Sequence, residues 1–133
     1  MSVSAQASVG SECVTEGISV KVVPSYLPTH SDPHQGRYLF AYHVTIVNNG
    51  DRRAILRSRQ WVIVDSEGER QEVQGMGVVG HHPDLAPGER FEYSSFVPLT
   101  TSWGTMEGLY VMEREDGSVF HAKVKRFFLV SLP

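Results

Sequence analysis

Glycine and proline punctuate this chain at short intervals, and that spacing limits what it can fold into. Twelve glycines and seven prolines are spread along 133 residues rather than clustered. No stretch between them keeps a 3.6-residue apolar period over the turns a stable helix needs. The segments are instead short, rich in Val, Ile, Phe and Tyr, and many alternate. Ile18, Val20 and Val22 alternate with Ser19 and Lys21 over Gly17–Val23. Tyr38, Phe40, Tyr42, Val44 and Ile46 share one face of Tyr38–Asn48. Ala54–Asp65 ends in Trp61-Val62-Ile63-Val64, apolar on both faces as in a central strand. Arg70–Gln74, Glu89–Pro98, Gly108–Glu115 and Ser118–Val130 complete about seven strands, an all-β sandwich or barrel. Asn49-Gly50 and Asp116-Gly117 offer the positive φ angles of tight hairpins. Pro87-Gly88 fits the centre of a type II turn. Pro24–Gly36 and Gly75–Gly88 read as long loops.

The small polar residues of 1–15 read as a flexible tail, leaving 16–133 as one domain. Such a length buries a core without metal or disulfide help. Twelve Lys and Arg against fifteen Asp and Glu give a net charge of −3, which argues against nucleic acid and anionic membranes as partners. The single cysteine, Cys13, forms no internal disulfide and no multi-cysteine zinc site. No apolar run has the length of a membrane span, and 1–14 lacks the regions of a secretory signal. The expected setting is the cytoplasm.

Three groups of residues carry candidate chemistry. Gly75-Met76-Gly77-Val78-Val79-Gly80 matches G-x-G-x-x-G, but the two prolines that follow, Pro83 and Pro87, bar the helix of a dinucleotide fold. An anion nest of successive backbone N–H groups at Gly75, Gly77 and Gly80 survives, beside the plain reading that glycine permits a close crossing. Arg57 and Arg59 fall on the face of Trp61, where a guanidinium stacked on the indole would grip phosphate or carboxylate. A solvated arginine covering apolar surface is the simpler reading. His30, Asp32 and His34 share one side of an extended chain and could hold zinc, Ni²⁺ or Cu²⁺. For catalysis the inventory is thin: there is no G-x-S-x-G elbow, and Glu89, Glu92, Glu113 and Glu115 read as outward strand positions. Tyr38, Phe40, Tyr42, Tyr93, Phe96 and Tyr110 read as core rather than as a base-stacking platform.

A longer pattern adds to these. Ser31-Asp32-Pro33 precedes Arg37-Tyr38-Leu39-Phe40-Ala41-Tyr42; Ile46, Asn48 and Gly50 follow, then Ser58-Arg59, Trp61, Ile63, Asp65 and Gly68. Next comes the block Gly75–Gly80 with Pro83, Leu85, Pro87-Gly88-Glu89, Phe91, Tyr93 and Ser95; Gly104, Met106, Gly108, Tyr110 and Met112 close the series. In order and spacing this sequence resembles the ApaG family. Gln60 stands where that family usually has histidine, and Lys125 where it usually has proline. The resemblance implies a fibronectin type III-like, immunoglobulin-like β-sandwich and a non-enzymatic module with no cofactor. In bacteria it implies an association with cobalt resistance and magnesium efflux. Its eukaryotic settings imply protein–protein interaction. The recognition surface would be the loops Pro24–Gly36 and Gly75–Gly88 plus Arg59, facing a protein partner. The alternative ligand is pyrophosphate or a nucleotide held by Arg59 and Gly75–Gly80. An edge strand pairing across a two-fold axis would make a homodimer.

Overall fold

Burial follows the alternation read along the chain. Phe40, Tyr42, Val44 and Ile46 are buried, and the residues between them are partly exposed. The computed structural model describes residues 9–131. Its strands in chain order are β1 (Ser11–Thr15), β2 (Ile18–Tyr26), β3 (Tyr38–Asn48), β4 (Ala54–Asp65), β5 (Arg70–Met76), β6 (Asp84–Leu85), β7 (Arg90–Leu99), β8 (Trp103–Glu113) and β9 (Val119–Val130). All strand pairings are antiparallel. One sheet runs β1-β2-β3-β7; the other runs β5-β4-β8-β9, with β6 also on β4. The two form a sandwich around Phe40, Tyr42, Trp61, Tyr110 and Phe127. Among the described residues no helix is long and apolar enough to cross a membrane.

Several expectations change. Residues 11–15 are not tail but strand β1, paired with β2 from Ser11↔Val22 to Thr15↔Ile18. Residues 1–8 lie outside the described part. The missed signal was the turn Glu16-Gly17, whose φ angles of 47° and 84° suit a two-residue hairpin. Cys13 therefore sits on a strand opposite Val20. Strand β2 runs on through Pro24 to Tyr26, because β1 stops at its register with Val22 and leaves that edge needing no N–H. Two short 3-10 turns, Pro28–His30 and Pro33–Gln35, break up the loop that follows. Pro87-Gly88 does turn as expected: Gly88 has φ 89° and Glu89 N–H donates to Ala86 C=O at 2.9 Å. Asp116-Gly117 likewise joins β8 to β9.

Asn49-Gly50 is not a hairpin. Its flanking strands belong to different sheets, so the chain crosses the sandwich here. Asn48 fixes the crossing. Its fully buried amide donates to Arg52 C=O (2.8 Å) and Leu85 C=O (2.9 Å) and accepts from Gly50 N–H (2.9 Å). Its backbone accepts from Gly88 N–H and donates to Glu89 C=O. Buried Arg114 ties the same end, donating to Arg52 C=O and Glu16 C=O while its guanidinium lies 4.2 Å from the Phe120 ring centroid.

Two bulges set the registers of the second sheet. One lies in β4 at Arg57, between the pairs Leu56↔Met112 and Ser58↔Val111. The other places Lys125 and Arg126 of β9 opposite Glu107 of β8. Lys125 thus occupies an irregular position where a missing backbone donor would cost little. At Gly108 a Cβ would stand 1.9 Å from Gln60 O, so only glycine lets β4 and β8 meet as they do.

Replacing Asn48 by Ala removes three side-chain hydrogen bonds at once, including the one to the buried Leu85 C=O, and leaves Arg52 C=O with Arg114 alone. Asn48→Ala is expected to lose about 3 kcal/mol of stability. Urea unfolding should show a lower midpoint with an unchanged m-value.

Candidate functional site

The sandwich is closed along one side and open along the other. On the closed side β1 lies against β9, and Lys123 N–H donates to Thr15 Oγ1 at 3.1 Å. On the open side the edges of β5 and β7 flank two cavities of about 210 and 220 Å³. Both are lined by Ile63, Gln71 and Pro98, so they form one continuous groove along the seam.

Arg59 marks one end. The bulge at Arg57 sends that side chain to the outer face, where Nε meets Glu113 at 2.6 Å. It therefore does not share the face of Arg59 and Trp61, as an unbroken period-two reading required. Arg59 pairs across the ladder with Gly75, and its guanidinium lies over that glycine, 2.7 Å from where a Cβ would be. Nη1 donates to the carbonyls of Met76 (3.1 Å) and Gly77 (2.8 Å), fixing the fork in place. Among the described residues no hydrogen bond takes up its Nε or Nη2. Trp61, only 3% exposed, lines the same cavity. Its ring packs edge-on against Tyr42, Tyr110 and Phe127 rather than beneath the arginine. Its Nε1–H is buried without a hydrogen-bond partner. Tyr42 and its cross-strand neighbour Ser95 complete this end.

Burial pushes the phenol of Tyr42 above its ordinary range, against the opposing pull of Ser95 and the Arg59 charge. Burial does the same, more strongly, to Tyr93 and Tyr110, whose hydroxyls share a short hydrogen bond. The opposite end of the groove is acidic. Asp65, Glu69 and Arg70 line it, and Arg70 is paired with Glu72 at 3.0 Å.

The glycine block supports the Arg59 end of the groove. Gly75 and Met76 finish β5, and Val78-Val79-Gly80-His81 makes a tight turn with reciprocal hydrogen bonds of 2.9 and 2.8 Å. The N–H groups of Gly77, Val78 and His81 donate to protein carbonyls, so the amides left for an anion are those at the tip of the turn, Val79 and Gly80. Gly77 is needed because a Cβ would stand 2.3 Å from His81 O, and Gly80 because φ is 82°.

His30, Asp32 and His34 do not converge; no group of three or more metal-binding side chains forms among the described residues. The expectation assumed an extended chain, whereas the two 3-10 turns rotate these residues apart. The Pro24–Gly36 loop does not line the groove either. Four of the six aromatic residues read as core, Phe40, Tyr42, Tyr93 and Tyr110, are buried; Phe96 is 62% exposed at the rim of the groove. Tyr42, Ser95, Gln71, Asp65 and Glu69 were not read as site residues. Ser95 carried the only local signal, a polar residue on the apolar face of its strand.

The family description "ApaG domain" matches residues 28–114. This chain belongs to the ApaG family. Protein ApaG of Anaeromyxobacter dehalogenans is 52% identical over 120 residues, 90% of this chain and 94% of that one. Protein ApaG of Aromatoleum aromaticum is 49% identical over 112 residues, covering 84% and 88%. A crystal structure described as that of the ApaA protein from Bordetella pertussis matches with a TM-score of 0.83 at 49% identity, covering 85% of this chain and 92% of that one. The ApaG sandwich expected from the resemblance is therefore the fold observed. Every groove residue named above from Tyr42 to Ser95 falls within the matched domain.

Two measurements follow. Val79, β-branched and exposed, holds φ 43° in a turn that favours Asn-Gly. Val79→Asn is expected to gain about 1 kcal/mol, read as a higher urea midpoint. The second concerns alkali. Tyr42, Tyr93 and Tyr110 ionise above the ordinary value of 10 when folded, so the unfolded chain releases those protons first. Stability is intact below that pH and falls as pH rises past it. Absorbance at the phenolate band should show these three tyrosines ionising together with alkaline unfolding.

Proposed function

We propose that this ApaG-family chain is a non-enzymatic module for protein–protein interaction, and that its recognition surface is the seam between β5 and β7. One observation carries the reading: two sheet edges that pair with no further strand among the described residues flank a continuous groove. Edges of this kind accept an extended segment through main-chain hydrogen bonds, while a groove beside them selects side chains. The floor is apolar, with Trp61, Ile63, Val97, Leu99 and Met106. The polar side chains at the Arg59 end are the guanidinium of Arg59, the indole of Trp61, the protonated phenol of Tyr42, the hydroxyl of Ser95 and the amide of Gln71. Such donors bind and orient a partner; general acid–base catalysis needs a group that titrates near neutrality.

In this reading the cobalt and magnesium associations of the family act through a partner rather than through a metal site built from His30, Asp32 and His34. The second reading, pyrophosphate or a nucleotide on Arg59 and Gly75–Gly80, retains Arg59 and, of the backbone, the amides of Val79 and Gly80.

Gln71 is exposed and lines the groove along most of its length, so Gln71→Trp fills it without entering the core. Short random peptides panned against the wild-type protein should yield binders that Gln71→Trp weakens about tenfold or more. Equal binding to both proteins would place recognition elsewhere. Calorimetric heat with pyrophosphate, GTP or ATP, and no peptide binders, would favour the second reading.

A further inference from the structure

The two ends of the groove carry opposite charge, and the Arg59 end is incomplete by itself. Arg59 is held by two carbonyls that use only Nη1. Trp61 lines the same cavity, and its Nε1–H is buried and unpartnered. Leaving such a donor unsatisfied is costly, and native interiors rarely do so without a reason. Tyr42 and Ser95 add two hydroxyls. These donors, with no carboxylate among the lining residues of that cavity, suit a planar, singly charged oxyanion. At the other end Asp65, Glu69 and Arg70 line the groove; Arg70 is paired with Glu72, and Asp65 Oδ1 accepts from Glu67 and Glu69 N–H, which leaves Asp65 Oδ2 and the Glu69 carboxylate for a cation. From Arg59 to Asp65 is six residues along β4, about 20 Å of extended chain.

Resting on the module reading above, we infer that the groove takes an extended peptide segment with a carboxylate side chain seated at Arg59, Trp61 and Tyr42. A basic side chain about six residues away lies against Asp65 and Glu69. The segment adds to β5 rather than β7. Pro98 gives β7 no N–H at mid-groove, while β5 has no proline along Arg70–Met76. Gly75 is a positioning residue here, since any side chain would displace the guanidinium laid across it.

The test uses the full chain and seven-residue capped peptides of alternating Val and Thr, with glutamate at one end and lysine at the other, made in both orders. Because the chain has two tryptophans, the indole resonance of Trp61 is assigned by comparison with Trp103→Phe. In one of the two orders the peptide should bind and shift the Trp61 indole N–H resonance downfield. Replacing the peptide's glutamate by glutamine should weaken binding about tenfold and reduce that shift. Arg59→Gln should weaken the glutamate peptide by a similar factor and leave the glutamine peptide unchanged. The proposal is overturned if glutamate and glutamine peptides bind the wild type equally, or if the Trp61 resonance is unmoved at saturation. It is also overturned if neither order binds, or if pyrophosphate shifts the indole and no peptide does. Panned peptides that bind through the groove but carry no acidic residue would leave the module reading standing and remove this one.

Discussion

A single buried amide holds the path of the chain through the sandwich. Asn48 ends β3 in one sheet, and its side chain reaches carbonyls at Arg52 and Leu85, beside the start of β4 in the other. Because its backbone also bonds to Gly88 and Glu89, it gathers three separate passages of chain at one end of the fold. No apolar residue of that size satisfies those groups. With the crossing fixed there, β4 enters the second sheet at Ala54, and the later registers of that sheet follow from it.

The groove is a product of that register. An extra residue at Arg57 changes the parity of β4, so Arg57 faces out to Glu113 and Arg59 faces the seam. The ladder then sets Arg59 opposite Gly75, a residue with nothing to obstruct the guanidinium. Two carbonyls from the following turn immobilise it. A long cation becomes a fixed fork without help from any carboxylate, and much of the rotamer entropy that binding would otherwise cost is already spent in folding.

Period-two alternation made the layers legible. It found β3, the central β4 and the inward face of β7, and the Asp116-Gly117 hairpin was plain from its turn residues. What it missed were features in which a partner distant in sequence decides the outcome. Asn49-Gly50 has the residues of a hairpin, but the pairing of β3 with β7 and of β4 with β8 outweighs them. Glu16-Gly17 carries weak turn chemistry, and β1 forms because β2 offers it an edge. Arg59 and Trp61 were visible as candidates because they sit two apart on one strand. Tyr42 and Ser95 were not, since only the β3–β7 register brings them together. The histidines around Asp32 misled for a local reason: alternation was applied to a segment that turns.

Pro98 has a further consequence. An open sandwich with two bare edges on one side could stack edge to edge without limit, each copy extending the sheets of the last. On β7 the proline removes a donor halfway along the groove. On β5 the charged pair Arg70 and Glu72 must be desolvated before another strand can dock. Both features raise the cost of stacking copies edge to edge, while β5 keeps its backbone donors along Arg70–Met76.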